Sequence, residues 1–172
     1  MSPLPTRLMS TNAMDHLSDH NVLHTQHNAL ETAGRGVVAT ASRTTNFVLQ
    51  SGSLGDVTSL SITFTTVANR RYRCSANFGV YHWNPTDPPY PALIEVALLF
   101  DGTQVDRDWN MSNPFYLSNA DKCYLEHVTL TAPTAASHTW KVQGRYTDAT
   151  QASEITASTA RPAYIILEDI GA

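Results

Sequence analysis

The sequence predicts a mainly β fold, an antiparallel β-sandwich of the jelly-roll kind preceded by one N-terminal α-helix. Charged residues make up 15% of the 172 positions, whereas an average soluble domain carries about 25%. The chain contains 21 threonines and two lysines. Threonine favours strands because its β-branch fits a pleated surface, and lysine favours exposed helix faces. Short strand-like segments separated by turn residues follow one another from residue 37 onward, which is typical of a sandwich and not of a βαβ sheet.

Length and charge exclude several classes of protein. The length fits one domain with an appendage, and 42% hydrophobic residues are too many for a disordered chain. A net charge of -4 gives no basic surface for nucleic acid. No run of 18 apolar residues is present, so we expect no membrane span. Residues 1–10 contain two prolines and no apolar segment, so we expect no secretory signal there.

The pattern divides the chain into an arm with a helix, residues 1–36, and a sandwich domain, residues 37–172. Residues 12–33 contain neither Gly nor Pro, and they follow a possible N-cap at Thr11 or Asn12. Glycines directly after this segment are suited to ending a helix.

The predicted helix carries polar residues where a core-facing helix would carry leucine. Its seam consists of Met14, Leu17, Asn21, His24 and Asn28. Such a seam is weak in a monomer, but polar seam residues fix register and chain number in an oligomer. These five residues are therefore predicted to mediate oligomerisation or attachment to a partner surface.

Three histidines of this helix, His16, His20 and His24, are spaced by four residues and share one face. Adjacent members have the spacing of transition-metal ligands, but no HExxH motif and no distant third ligand accompany them. We expect a polar face and no bound metal or other cofactor. A site formed by one histidine from each chain on a trimer axis is the alternative, and metal analysis of the purified oligomer would test it.

After the helix, the strand signals follow in a regular order. The predicted strands are residues 37–49, 57–67, 71–83, 92–100, 103–109, 114–118, 123–132, 137–147, 152–158 and 162–169. Asp101-Gly102 is the best hairpin turn in the chain. The segment Ala92–Phe100 is apolar except for Glu95, which predicts a central strand. The apolar segment 162–169 is predicted to pair inside a sheet.

No motif of an enzyme is present: GxSxG, the P-loop, GxGxxG and HExxH are all missing. We therefore predict no catalytic residues and no enzymatic activity. Asp101, Asp106 and Asp108 lack the spacing of a calcium loop and are interpreted as a solvated hairpin. Cys74 and Cys123 are predicted to be buried free thiols, with a single disulfide as the alternative.

Two further groups have open interpretations. Arg70, Arg71 and Arg73 begin a strand, where they would protect an edge or pair with carboxylates. The aromatic residues Trp83, Tyr90 and Trp109 lie near loops. Exposed aromatics stack on sugar rings or anchor interfaces, so these residues are candidates for a ligand-facing surface. Packing within the sandwich or at a subunit interface is the favoured interpretation.

Several segments resemble virion proteins of tailed phages, especially phages of actinobacteria. Residues 14–30 are similar to a "DHxxDHNxLHxxxNAL" helix of those proteins, and Val96–Thr103 is similar to their "xVxLxxDGT" hairpin. Residues 137–143, 157–158 and 161–171 are similar to the closing pattern "GxHTxxLxA…ASxxxPAxLxVEDIG". Proteins of this kind are labelled minor tail, head-fibre or capsid decoration proteins. The sequence departs from the pattern at a proline-rich loop, residues 84–91, and at residues 106–122.

The resemblance implies a trimeric jelly roll, similar to the tumour-necrosis-factor fold, whose N-terminal segment attaches it to the particle. We therefore expect a structural virion protein, assembled in the host cytoplasm. Its partners would be copies of itself and the major capsid or tail protein, and neither nucleic acid nor a membrane. The alternative is a receptor- or glycan-binding module of a fibre, with a host-surface glycan as its ligand.

Overall fold

The computed structural model describes residues 35–82, 93–111, 121–129, 131–147 and 153–172. Every regular element in these ranges is a strand. They are β1 (Gly36–Arg43), β2 (Phe47–Val48), β3 (Gln50–Ser51), β4 (Gly55–Thr65), β5 (Arg71–His82), β6 (Leu93–Phe100), β7 (Thr103–Met111), β8 (Asp121–Val128), β9 (Ser137–Tyr146), β10 (Ser153–Thr156) and β11 (Ala163–Gly171). The prediction of a mainly β protein is confirmed.

The strands form two sheets. In the first, the order is β1-β11-β5-β10-β2, and β8 pairs with the other edge of β5. In the second, the order is β3-β9-β6-β7, and β4 also pairs with β9. All described pairings are antiparallel except the short one between β3 and β9. β1 lies near β4, and β7 lies near β8, so the two sheets also meet along their margins.

Alternating side chains of both sheets form one hydrophobic core. In β5 the buried residues alternate with more exposed ones, as the sequence predicts: Tyr72, Cys74, Ala76, Phe78 and Val80. Trp140 of β9 is fully buried, and its ring lies 6.3 Å from that of Tyr72 and 4.7 Å from that of Phe100. Aromatic rings at such separations add to the stabilisation that burial provides.

Three strand predictions are confirmed in detail. β6 is a central strand between β9 and β7, and residues 94–99 are all buried. β11 lies between β1 and β5. The turn at Asp101 and Gly102 joins β6 to β7 with positive φ angles of 49° and 81°. Glycine adopts this conformation without strain, which is why Asp-Gly favours the two-residue hairpin.

The predicted continuous strand 37–49 is wrong. The chain leaves β1 after Arg43, because the guanidinium of Arg43 donates to the carbonyls of Thr45 and Asn46 and holds a turn there. β2 then joins the first sheet and β3 the second, with only Leu49 between them. Leu49 is buried in the core, and its amide donates to Ser153 O at 2.8 Å.

Some predictions fall on residues that the structure does not describe. The helix 12–33, most of the 1–36 segment and the strand 114–118 lie outside the described ranges. The division at residues 36 and 37 therefore stays a prediction. Within the described ranges, no helix is long and apolar enough to cross a membrane.

Candidate functional site

The outer face of the second sheet carries the one predicted ligand-facing aromatic that the structure describes. Trp109 of β7 pairs with Glu95 of β6, and Glu95 pairs with Arg145 of β9. Because paired residues share a face of the sheet, these three side chains form a row across it. Ile94 and Val96 belong to the core, so Glu95 between them points to the opposite side.

A buried carboxylate organises this row. The Glu95 side chain is 3% exposed, and it accepts a hydrogen bond from Arg145 Nε at one oxygen. Its other oxygen lies 3.6 Å from Arg107 Nη1. A buried charge is tolerated only when it is paired and hydrogen-bonded, which these two guanidinium groups provide.

The same guanidinium groups lie against the Trp109 ring. The Arg107 and Arg145 Cζ atoms are 5.1 Å and 5.9 Å from the ring centroid, within the range of cation–π attraction. Trp109 is 38% exposed. Trp83 and Tyr90 lie outside the described residues. We call the four residues Glu95, Arg107, Trp109 and Arg145 the Trp109 row.

The sequence drew attention to Glu95 and Trp109 but not to the two arginines. Glu95 was notable because it interrupts an apolar strand, and Trp109 because it is aromatic. Arg145 is 50 residues away from Glu95 in the chain. Only the register between β6 and β9 brings the two together, and no local signal in the sequence contains that register.

Two of the motif segments, Val96–Thr103 and residues 137–143, meet at the Asp101 turn. Asp101 Oδ1 accepts a hydrogen bond from Thr139 N at 2.9 Å, and Asp101 Oδ2 lies 2.6 Å from His138 Nδ1. His138 Nε2 faces Thr134 O at 3.0 Å, and the ring stacks on Phe100. Both imidazole nitrogens thus face acceptors, so protonation is favoured.

The pKa values follow this geometry. The hydrogen bond to Asp101 raises the pKa of His138 above its usual value, although burial opposes the shift. Burial acts to raise the pKa of Asp101, but the hydrogen bonds from His138 and Thr139 outweigh it and lower the pKa. The motif residues therefore hold the β6–β7 turn to β9.

The closing motif contains a second buried ion pair. Asp169 of β11 accepts hydrogen bonds from Arg70 Nε at 3.0 Å and 2.8 Å, one at each oxygen, and from Gly171 N at 3.0 Å. Arg73 pairs with Glu168 nearer the surface. Pairing with carboxylates is therefore correct for Arg70 and Arg73, whereas Arg71 donates to the Ala172 carbonyl at 3.0 Å. Edge protection is wrong for Arg73, because β5 is paired on both edges there.

The other acidic residues of the hairpin also have structural partners. Asp106 Oδ2 accepts from Glu126 N of β8 at 2.8 Å, and Asp108 Oδ2 lies 3.4 Å from Cys123 Sγ. These carboxylates tie β7 to β8, so the interpretation of a merely solvated hairpin is wrong for them. Among the residues that the structure describes, no three His, Cys, Asp or Glu side chains are placed to hold a metal ion.

The two cysteines are free and buried, as predicted. Burial raises the pKa of the Cys74 thiol to about 12. Burial also raises the pKa of Cys123, and the nearby Asp108 carboxylate adds to the effect. Since the thiolate is the nucleophilic form, neither cysteine is suited to chemistry at neutral pH.

Comparison with known proteins gives similar solved structures, including the two named below, and no family. No protein-family model matches the chain, and no curated protein sequence matches it. A crystal structure of dimeric latent PorU from Porphyromonas gingivalis is 10% identical, with a TM-score of 0.40 over 81% of this chain. The structure of T=1 particles derived from infectious bursal virus is 13% identical, with a TM-score of 0.42 over 80% of this chain.

This chain spans 13% of the PorU chain and 37% of the viral chain. Scores below 0.5 are too low to support a conclusion about function.

Proposed function

We propose that this chain is a structural protein of a tailed-phage virion. It would be a trimeric jelly-roll subunit that decorates the capsid or tail and is attached through residues 1–36. Met14, Leu17, Asn21, His24 and Asn28 would form the oligomer or attachment contacts. In this proposal the protein has no catalytic role and needs no cofactor.

The contact between Asp101 and the His138-Thr139 pair carries the proposal. The hairpin segment and the closing segment are separate in the sequence, and they meet in the fold through two hydrogen bonds of the Asp101 carboxylate. The closing segment also supplies Asp169 to the buried pair with Arg70. This supports a resemblance of architecture, since these residues hold strands together and do not line a reaction site.

The residue types of the Trp109 row also favour a protein that works in an assembly. The Trp109 row presents an exposed tryptophan beside two arginines, and Trp and Arg are the residue types that dominate the centres of protein interfaces. A row of this kind suits contact with a neighbouring subunit or with the particle.

The first test is the mass of the purified protein in solution, measured by light scattering. The proposal expects a species in solution with the mass of three chains, and a monomer at micromolar concentration would contradict the trimer. The second test is a chain lacking residues 1–33. Circular dichroism should still report β structure, but the variant should not be incorporated into particles.

A matched control keeps the second test specific. Glu168→Gln leaves both residues 1–36 and the Trp109 row intact, so attachment through the N-terminal segment predicts incorporation for this variant. Incorporation of the shortened chain at normal copy number would refute attachment through the N-terminal segment.

A further inference from the structure

A groove on the outer face of the first sheet lies on the opposite side of the molecule from the Trp109 row. It has a volume of about 610 Å³. Small-molecule sites usually fall between about 300 and 1,000 Å³, whereas a single inorganic ion fills much less. The groove therefore has room for an organic ligand of several rings.

A missing side chain creates the floor of this groove. Gly79 of β5 pairs with Thr156 of β10 on one side and with Lys122 of β8 on the other. On the same face, two positions away, Asn77 pairs with Tyr164. Since paired residues share a face, Gly79 leaves a depression between longer neighbours.

A loop with a fixed conformation, residues 158–161, borders the groove on one side. The Ser158 amide donates to Arg161 O at 3.0 Å, and the Arg161 amide donates to Ser158 O at 3.1 Å. The Ser158 hydroxyl accepts a further bond from the Arg161 amide at 3.1 Å. This closed turn places Arg161 and Pro162 at the groove without a large ordering cost on binding.

The charged side chains among the described lining residues have one sign. They are Lys122 and Arg161, and none of the described lining residues is acidic. Within the described residues, neither cation takes part in an ion pair, whereas Lys141 is bound to Asp56 and Arg73 to Glu168. Cations in a concave site that are not neutralised by an ion pair attract an anionic ligand.

Three other lining residues are polar and suit a sugar. Asn77, Thr156 and Tyr164 offer an amide, a hydroxyl and an aromatic ring with a hydroxyl. The backbone beside Gly79 is already paired on both sides, so it cannot accept an added peptide strand. Recognition must therefore occur through side chains, which suits the many hydroxyl groups of a saccharide.

We propose that this groove binds an acidic saccharide, a sugar carrying a carboxylate. Lys122 and Arg161 bind the anionic group, and Asn77, Thr156 and Tyr164 contact the sugar ring and its hydroxyls. Among the described residues that line this site, Trp109 does not appear. The site requires only the described fold of one chain.

The test is a calorimetric titration of the full-length protein. The probes are oligosaccharides that carry a sialic or uronic acid, the neutral counterpart of each, inorganic phosphate, and a short acidic peptide. We expect at least one acidic saccharide to bind about tenfold more tightly than its neutral counterpart, the factor expected for one charge-assisted hydrogen bond.

Three variants locate the binding. Lys122→Ala and Arg161→Ala should each weaken binding about tenfold. Gly79→Val should abolish it, because the added side chain fills the floor while a β-branched residue suits a strand. Lys141→Ala removes the same charge from the other sheet and should bind as the wild type does. Circular dichroism verifies that each variant is folded.

Several outcomes would overturn the proposal. One is that the wild type binds no acidic saccharide, and another is that it binds only the acidic peptide. Binding of inorganic phosphate as tightly as the best saccharide would have the same consequence. Equal loss in Lys141→Ala would also overturn it, since the effect would then reflect net charge and not the groove.

Discussion

Replacing Asp169 by asparagine should destabilise the protein strongly. The Asp169 and Arg70 side chains are 2% and 5% exposed, and both carboxylate oxygens share the single Nε–H of Arg70. Arg70 Nη2 lies 2.8 Å from Asp169 Oδ1, and the Gly171 amide donates a further hydrogen bond to Oδ1. Asparagine keeps the size of the side chain but leaves the Arg70 charge buried without its counter-ion. Breaking a buried ion pair by removing one partner costs about 3–5 kcal/mol.

The assay is thermal and urea unfolding followed by circular dichroism. In a protein of this size each kcal/mol lowers the melting temperature by about 2–4 °C, so the expected drop is about 6–20 °C. The matched control is Glu168→Gln in the neighbouring pair with Arg73, whose side chains are 25% and 44% exposed. Surface pairs contribute about 0–1 kcal/mol, so the control should unfold within a few degrees of the wild type.

A second variant separates loss of the pair from loss of packing. The double substitution Arg70→Met and Asp169→Leu removes both charges, and it should recover at least half of the stability that Asp169→Asn loses. If Asp169→Asn costs less than about 1 kcal/mol, or no more than Glu168→Gln, the buried pair is not a major source of stability and the reasoning fails.

Three further predictions concern other parts of the core and its margin. His138→Gln should change the pH dependence of unfolding, because the folded protein raises the pKa of His138. The wild type gains stability below pH 6.5 and loses this gain as the pH rises above it. The variant should lack this component of the pH dependence. Gly144→Ala should cost about 1–3 kcal/mol in urea unfolding, because its Cβ would lie 2.6 Å from Leu49 Cδ2. Trp140→Ala should cost about 3–5 kcal/mol, whereas Trp109→Ala should cost far less because its ring is partly exposed.

Controls are available for each of these. The wild type and His138→Gln share all other histidines, so the contributions of those histidines cancel when the two profiles of unfolding free energy against pH are subtracted. Leu49→Ala should reduce the additional cost of Gly144→Ala, and strict additivity of the two losses would contradict the clash. Equal losses for the two tryptophan variants would contradict the described burial.

Local patterns of the sequence were sufficient to predict most strands. The alternation in β5 predicts its buried face, and Asp101-Gly102 predicts the hairpin, because both depend on interactions between near neighbours in the chain. The segment 37–49 was predicted wrongly because nothing local distinguishes a strand that changes sheets at Leu49 from one that continues. The turn depends on contacts of Arg43 with carbonyls of its own loop.

The candidate sites were less predictable, since they depend on register between distant segments. Glu95 stood out in an apolar strand, but its partner Arg145 could be identified only from the pairing of β6 with β9. The groove depends on Gly79, Lys122 and Thr156 lying side by side. A lone glycine within a strand is the one local signal of such a depression.

The single residue between β2 and β3 determines whether the two sheets can unfold independently. Leu49 is 2% exposed and connects strands of opposite sheets, so neither sheet can separate from the other without exposing it. Sub-global opening of one sheet alone should therefore be suppressed. In hydrogen-exchange experiments, the most protected amides of β5 and β9 should exchange with the same free energy, and Leu49→Gly should divide them into two separate groups.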